Sequence, residues 1–130
     1  MTTDFNQVKD SGKREDFSTG SRRDSRDGKG RYDLLSPHAT RRDAKHMENG
    51  AKKYGDRNWE KGQPFSRFLD SAERHLNCFK EGKTDEDHLA AARWNLGCIV
   101  HFQELIAQGH TEFAHLDDLP KFIPREILTA

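Results

Sequence analysis

Residues 65–79 read Phe65-Ser66-Arg67-Phe68-Leu69-Asp70-Ser71-Ala72-Glu73-Arg74-His75-Leu76-Asn77-Cys78-Phe79, and this stretch decides the fold. Apolar side chains recur in it at positions 65, 68/69, 72, 76 and 79. Spacings of three and four residues place them on one face of an α-helix. The pattern therefore predicts a helix that opens near Pro64 and ends at Gly82, with this apolar face in the core.

Two further helices are predicted on either side of this stretch. The earlier one follows the N-cap candidate Ser36 and ends at Gly55. Its apolar seam consists of Ala44, Met47, Ala51 and Tyr54. The later one starts at Thr84, with Asp87 in the place of a capping-box acid, and ends at Gly109. Its stripe consists of Leu89, Ala92, Leu96, Ile99, Phe102 and Ile106. The predicted fold is all-α, a small antiparallel helical bundle.

The two ends of the chain differ from residues 30–109, which form the predicted helical domain. Residues 1–29 are predicted to be a disordered, flexible polar arm, because residues 1–30 contain few apolar side chains and many charges. The C-terminal tail, residues 110–130, contains Pro120 and Pro124. It is predicted either to pack on the bundle or to form an oligomer interface, and the sequence leaves both alternatives open.

Charge and hydropathy narrow the classes of partner. Lys and Arg number 22 and so do Asp and Glu, which gives a formal net charge of +0. No global basic field favours duplex nucleic acid or an anionic membrane, so a nucleic-acid partner is not expected. No stretch is long enough to span a membrane, and no apolar signal core follows Met1. Cys78 and Cys98 are expected to be reduced, and the chain is expected to be cytoplasmic.

Residues 50–62 combine cations, aromatic rings and glycines. Cationic side chains bind phosphate oxygens, and aromatic faces stack on bases. The alternative is that Tyr54 and Trp59 cap the core while the cations are merely solvated, and the sequence does not decide between these. With two polar positions on the later helices added, the candidate nucleotide-binding residues are Lys52, Lys53, Tyr54, Arg57, Asn58, Trp59, Lys61, Arg74 and Asn95.

Polar side chains also gather on the faces opposite the apolar stripes. In an antiparallel pair of helices, His75, Asp85 and His88 would converge near the connection together with Asp87. Imidazoles and carboxylates of this kind suit a divalent metal. The structural alternative is that the acids are ordinary first-turn residues favoured by the helix dipole.

Four segments together resemble a known family. They are residues 28–37 (GKGRYDLLSP), 50–59 (GAKKYGDRNW), 68–76 (FLDSAERHL) and 85–95 (DEDHLAAARWN). These runs are similar to the phage and prophage family described as "dATP/dGTP diphosphohydrolase, N-terminal domain", and the resemblance spans roughly residues 28 to 107. It implies a small α-helical phage protein concerned with purine nucleotides, which would act in the host cytoplasm.

Two groups of all-α nucleotide enzymes are more distant analogues. MazG-type pyrophosphatases hold magnesium with an ExxE pair on one helix and an ExxD-type pair on the next. Phosphohydrolases of the HD type need an adjacent His-Asp pair, whereas this chain has the reverse order at Asp87 and His88. If the chain is an enzyme, Asp70, Glu73, Asp85 and His88 are expected to hold divalent magnesium or manganese, with His75 as the catalytic acid or base.

Three functions follow as alternatives. The leading one is a metal-dependent (deoxy)nucleotide phosphohydrolase acting on dATP/dGTP-like substrates. The second is a non-catalytic module that binds and sequesters nucleotides, including signalling nucleotides of a host defence system. The third is a structural or interaction protein whose helices form a homo-oligomer. A nucleotide ligand and self-association are the expected partners.

Overall fold

The computed structural model describes residues 8–123, which divide into two compact units at residues 35 and 36. The first unit contains strands β1 (Arg14–Asp16) and β2 (Arg22–Asp24) and a 3₁₀ helix, Tyr32–Leu34. The second contains helices α1 (Pro37–Tyr54), α2 (Phe65–Lys80) and α3 (His88–Ala107). Two more 3₁₀ helices follow α1 and α3, at Asn58–Lys61 and Thr111–Leu116. The helical class predicted from the sequence is confirmed, with a small sheet in addition.

The first unit contains an antiparallel hairpin where the sequence predicted a flexible arm. Arg14 pairs with Asp24 in its register, and the Phe17 N–H donates to the Ser21 carbonyl across the turn at 3.0 Å. The Asp24 carboxylate accepts from Lys29 Nζ at 2.8 Å, and this bond holds the pKa of Asp24 well below its usual range. A tight turn and ion pairs, rather than apolar burial, define the hairpin. Residues 1–7 of the predicted arm lie outside the described residues.

The caps of the helices confirm one predicted boundary and correct another. Ser36 caps α1 as predicted, because its side chain accepts from the Ala39 N–H at 3.1 Å. Helix α3 begins at His88 and not at Thr84. Asp87 is the N-cap itself and accepts from the Ala90 N–H at 3.1 Å. Asp is strongly favoured at the N-cap position, whereas the acid of a capping box is usually Glu. This preference explains why α3 starts after Asp87 and not at Thr84.

Helix α3 lies at the centre of the second unit and packs against both other helices. His75 of α2 contacts His88 at the start of α3, so α2 and α3 run antiparallel as predicted. Arg42 near the start of α1 bonds to Asp87 at the start of α3, at 2.6 Å. Helices α1 and α2 make few contacts with each other, and a cleft lies between them.

The core of this unit is aromatic. Phe65 and Phe102 are fully buried, Phe68 is 1% exposed, and Trp59 packs edge-on against Phe102. Each buried aromatic side chain contributes about 1.5–3 kcal/mol from the loss of apolar surface to water. Leu116, in the 3₁₀ helix after α3, joins this core, and Phe113 and Leu119 pack against it, whereas Phe122 and Ile123 are exposed.

The tail also completes the start of α2, which has no side-chain cap of its own. The Ser66 N–H donates to the Asp118 carboxylate at 2.9 Å, and this contact with the Ser66 hydroxyl and N–H lowers the pKa of Asp118. A carboxylate at a helix N-terminus satisfies an otherwise unpaired donor. The tail therefore fixes where α2 begins.

Part of the predicted apolar stripe is not in the core. Leu76 is 41% exposed and Leu96 is 43% exposed, whereas the adjacent positions His75 and Asn95 are buried. The aromatic core near Phe68 fixes the rotation of the helices, and the paired histidines satisfy each other's polar atoms. Helix α1 likewise has no buried residue, although an amphipathic helix usually turns its apolar seam toward the core. No helix in residues 8–123 is apolar over a length that could cross a membrane.

Candidate functional site

A cleft of about 740 Å³ lies between α1 and α2 in the helical unit. Ala91, Trp94 and Asn95 of α3 line its floor, and residues 85–87 line it from the connection between α2 and α3. Ala91 is buried and carries only a methyl group, so it leaves volume where a larger side chain would fill the floor. The architecture therefore brings together segments from most of the helical unit around one cavity.

Two buried histidines lie at the end of this cleft near the α2–α3 connection. Their Nδ1 atoms, in His75 and His88, are 2.9 Å apart. His88 Nε2 is 2.9 Å from the Asp85 carboxylate, which can only accept, so Nε2 of His88 carries the proton. His88 Nδ1 then accepts from His75 Nδ1–H. The Arg74 guanidinium donates to His75 Nε2 at 3.3 Å, and the four side chains form one hydrogen-bonded chain.

The surroundings favour the neutral form of His75 and the ionised form of Asp85. Burial lowers the pKa of His75, and the positive charge of Arg74 lowers it further. The hydrogen bond from His88 lowers the pKa of Asp85. His75 is therefore neutral and Asp85 is ionised at pH 7.

The same histidines form a potential metal site with Glu86. Ligand atoms of His75, Glu86 and His88 all lie within 4.8 Å of one another. Asp85, bonded to the far nitrogen of His88, is placed like the carboxylates that orient metal-binding histidines. If His75 were to offer Nδ1 to a metal, the proton of this imidazole would have to lie on Nε2, where the Arg74 guanidinium now donates. In that arrangement metal binding and the Arg74 contact would exclude each other.

This cluster differs from the predicted metal set. His88 belongs to it, Asp85 is bonded to His88, and the predicted acid or base His75 offers a ligand atom. Asp70 and Glu73 are exposed on α2 and do not line the cleft. Glu86 was missed because residues 85–87 precede the helix, so the helical spacing used to choose ligands does not apply there.

The predicted cationic loop divides into two groups. Lys53, Tyr54, Arg57, Asn58 and Trp59 line the cleft, as do Arg74 and Asn95. Lys52 and Lys61 do not line it. Only some of the cations in the loop are therefore placed to contact a ligand in the cleft.

The two aromatic residues of the loop have different surroundings. Trp59 packs against the His101 ring at 4.8 Å and against the core, so the core-capping alternative describes it. Tyr54 is 63% exposed, with Lys53 Nζ 5.3 Å from its ring centroid. Tyr54 is thus the aromatic face that a ligand can reach.

The charges in the cleft are not all available to a ligand. Arg42 is bonded to Asp87, and this bond lowers the pKa of Asp87 to about 2. Arg57, at φ 60° in the left-handed region, is paired with Glu60 at 2.7 Å. Within residues 8–123, Lys53 and the additional cleft residue Arg67 have no acidic partner. These two are the cations most open to an anionic ligand.

Comparison with known proteins identifies the family. The family described as "dATP/dGTP diphosphohydrolase, N-terminal" matches residues 19–111. The matched range includes the three helices, the cleft between them and the histidine pair. No curated protein and no solved structure matches significantly. Because the match covers most of the chain, this protein belongs to the dATP/dGTP diphosphohydrolase N-terminal family.

Proposed function

We propose that the chain is a metal-dependent phosphohydrolase acting on purine (deoxy)nucleotides of the dATP/dGTP type. One observation carries the proposal: the His75–Glu86–His88 cluster adjoins the same cleft that Lys53 and Arg67 line. Hydrolysis of a phosphate ester needs positive charge on the phosphate chain and electrophilic assistance at the reacting phosphorus. The family membership supports a nucleotide as the ligand.

Different residues of the cleft are assigned to the phosphates, to the base and to the metal. Lys53 and Arg67 bind the phosphate chain through charge-assisted hydrogen bonds. Tyr54 offers its exposed ring to the base. His75, Glu86 and His88 would hold a divalent ion, which would supply Lewis-acid polarisation of a phosphoryl oxygen when bound. Asp85 keeps the His88 ring oriented and its Nε2 protonated.

The donor set also bears on which metal fits. Two imidazoles and one carboxylate suit manganese, zinc or iron better than magnesium, which prefers oxygen ligands. Of the two ions expected from the sequence, manganese is therefore favoured. In this assignment His75 would hold the ion and would not have the proton-transfer role predicted for it from the sequence.

Product analysis tests the proposal. The chain is incubated with dATP or dGTP and with manganese, magnesium, zinc or a chelator, and the nucleotides are then separated by chromatography. We expect product with manganese and none with the chelator. His88→Ala should abolish turnover, whereas Asp70→Asn, which alters an exposed residue outside the cleft, should retain it. Turnover that survives His88→Ala, or that Asp70→Asn abolishes, contradicts the assigned site.

A nucleotide-sequestering module is the second candidate, and one observation favours it. The chain from Asp85 through His88 and His75 to Arg74 is complete as hydrogen bonds alone. Such a cleft can hold a nucleotide through its cations without chemistry. Recovery of intact nucleotide with every metal, together with binding measured by calorimetry, would replace the enzyme proposal with this one.

A further inference from the structure

Asn95 differs from the other amide side chains of the cleft because it is buried. It lies on the cleft floor and is only 5% exposed. Of the other amides that line the cleft, Asn49 is exposed, and Asn58 and Gln63 are half-buried. Burial of an amide is unfavourable unless its polar atoms have partners. The partners of the Asn95 amide therefore indicate what it is for.

The fold provides a partner for only one end of the Asn95 amide. Nδ2 donates to the Ala91 carbonyl, one turn earlier in α3, at 2.8 Å. Because a carbonyl can only accept, this contact fixes the amide with its nitrogen toward Ala91 and its oxygen away from it. Among residues 8–123, no group donates to Asn95 Oδ1. Oδ1 and the second hydrogen of Nδ2 are thus left without a protein partner.

The Asn95 oxygen is also open to the cleft. Among the buried and half-buried side chains of residues 8–123, only Asp43 has an oxygen that is both enclosed and unpartnered. Asn95 Oδ1 is unpartnered but not enclosed, and the space that Asn95 lines is the cleft. A ligand that displaces water from this space must supply a donor to Oδ1, because a buried acceptor without a partner weakens binding.

The position of Asn95 along the cleft decides which part of a nucleotide faces it. Asn95 follows His88 by seven residues, so it lies on the same face of α3, two turns and about 10 Å further along the axis. In the proposed function the reacting phosphate lies at the His88 end. Phosphate oxygens accept hydrogen bonds and so cannot satisfy Oδ1. The nucleoside, which carries donors, is the part that faces Asn95.

The free part of the amide matches the edge of a nucleobase. Oδ1 accepts, the second Nδ2 hydrogen donates, and both lie in the plane of the amide. A base edge likewise presents donors and acceptors in one plane, and paired contacts between such an edge and an Asn amide discriminate between bases. A sugar hydroxyl offers only a single group. In adenine and in guanine, an exocyclic amino group stands beside a ring nitrogen that accepts, which is the complementary pair.

We propose that Asn95 recognises the purine base and that its Oδ1 accepts a hydrogen bond from the exocyclic amino group. The proposal rests on the proposed function, because it needs a nucleotide in the cleft with its phosphates toward the histidines. It makes Asn95 a specificity-determining residue. Ala91 has two parts in this arrangement, since its carbonyl orients the amide and its small side chain leaves space beside it.

Calorimetry with analogues that lack the amino group tests the contact on the unaltered chain. A chelator is present throughout, so that binding is measured without turnover. We compare dATP with its analogue that lacks the amino group, and dGTP with dITP, which lacks the amino group of guanine. Loss of the amino group should raise the dissociation constant roughly tenfold in each pair, because Oδ1 is left without a donor. Equal affinity within each pair would overturn the proposal.

Substitution of Asn95 tests whether this residue causes the difference. Asn95→Ala should bind the two members of each pair within about twofold of each other, because the acceptor is absent. The matched control is Asn77→Ala, at an exposed position of α2 outside the cleft, and it should keep the tenfold difference. Circular dichroism checks that both variants are helical. Discrimination that survives Asn95→Ala would overturn the proposal.

A sugar analogue and product analysis separate the remaining outcomes. If the dideoxy analogue of dATP, which lacks the sugar hydroxyl, shows the Asn95-dependent loss in place of the amino analogues, the contact is with the sugar and base recognition is excluded. Asn95-dependent discrimination without product under any metal would retain base recognition and exclude hydrolysis. Product formation with equal affinity within each pair would do the reverse. Absence of nucleotide binding would overturn both proposals.

Discussion

At the scale of single residues, Asp85 illustrates how a neighbour outside the ligand set can control a site. Its carboxylate accepts from His88 Nε2 at 2.9 Å and thereby leaves Nδ1 of His88 free of a proton. Neutral imidazole binds metal only through a nitrogen that carries a lone pair. The hydrogen bond therefore determines which nitrogen of His88 can serve as a ligand.

We predict that Asp85→Asn weakens manganese binding about 10- to 100-fold, because the uncharged amide holds the His88 ring and its proton less firmly. Calorimetric titration with manganese measures the affinity. Asp70→Asn removes the same charge from an exposed position on α2 and should leave the affinity unchanged. Equal losses in both variants would show that only the overall charge matters.

Gly62 is a second residue whose identity the fold requires. Its φ is 95°, and an added Cβ would lie 2.9 Å from Leu116 Cδ1, a buried core atom. We predict that Gly62→Ala lowers the free energy of unfolding by about 1–3 kcal/mol, measured by urea denaturation. Gly97 of α3 is helical, and its added Cβ would meet nothing within 4 Å. Gly97→Ala should instead raise stability by about 0.5–1 kcal/mol.

The sequence predicted some residues of the site and not others. Helical spacing brought His75 and His88 together, because both lie on regular helices. It could not place Glu86, whose position depends on a connection that is not helical. Nor could composition distinguish Trp59, held by ring contacts in the core, from Tyr54, which stays exposed.

At the scale of secondary-structure elements, α1 is attached differently from α2 and α3. It buries no residue completely and is held mainly through polar and aromatic contacts to α3. Arg42 bonds to Asp87, Arg93 bonds to Asp43 at 3.1 Å, and the His46 ring lies 5.1 Å from the Trp94 ring. Helix α1 therefore depends on the charge state of its contacts more than the other helices do.

His46 makes this dependence measurable. Burial lowers the pKa of His46 below its ordinary value of 6.5. The unfolded state then binds protons more readily, so this contribution to stability is complete above pH 6.5 and is lost as pH falls through the lower folded-state pKa. We predict that the melting temperature falls between pH 7 and pH 5, and that His46→Gln reduces this fall. An identical fall in both proteins would exclude His46 as a cause.

The hydrophobic periodicity predicted that the helices form, but it did not predict which side of α2 and α3 is buried. The residues at 75/76 and at 95/96 pair a polar side chain with a leucine, and the folded chain buries the polar one. The sequence pattern assumes that the most apolar side faces the core. That assumption fails where buried histidines bond to each other and the leucines form a surface of their own.

At the scale of the whole molecule, the division at residues 35 and 36 falls just before the N-cap of α1. We predict that a chain shortened to residues 36–130 keeps the melting temperature of the helical unit within about 2 °C, because the core and Ser36 are retained. Thermal unfolding followed by helical circular dichroism measures this. A larger decrease would show that the first unit contributes to the stability of the helices.

The first unit marks a limit of reasoning from composition. Its residues lack the apolar content that predicts order, yet β1 and β2 pair in a defined register. The single carboxylate of Asp24 contacts three residues, Ser11, Arg14 and Lys29. Such an arrangement depends on where the charged residues stand in the sequence and not on how many there are. Amino-acid composition therefore does not predict it.

The two cysteines differ in a way that makes the chain its own reporter of conformational opening. Cys98 is 2% exposed in the core, and burial raises the pKa of its thiol to about 12, whereas Cys78 on α2 is only partly buried. Alkylating reagents attack the thiolate. In the native protein Cys78 alone would be labelled readily, and modification of Cys98 would require the core around it to open. The slow second labelling rate would thus report how often the core opens.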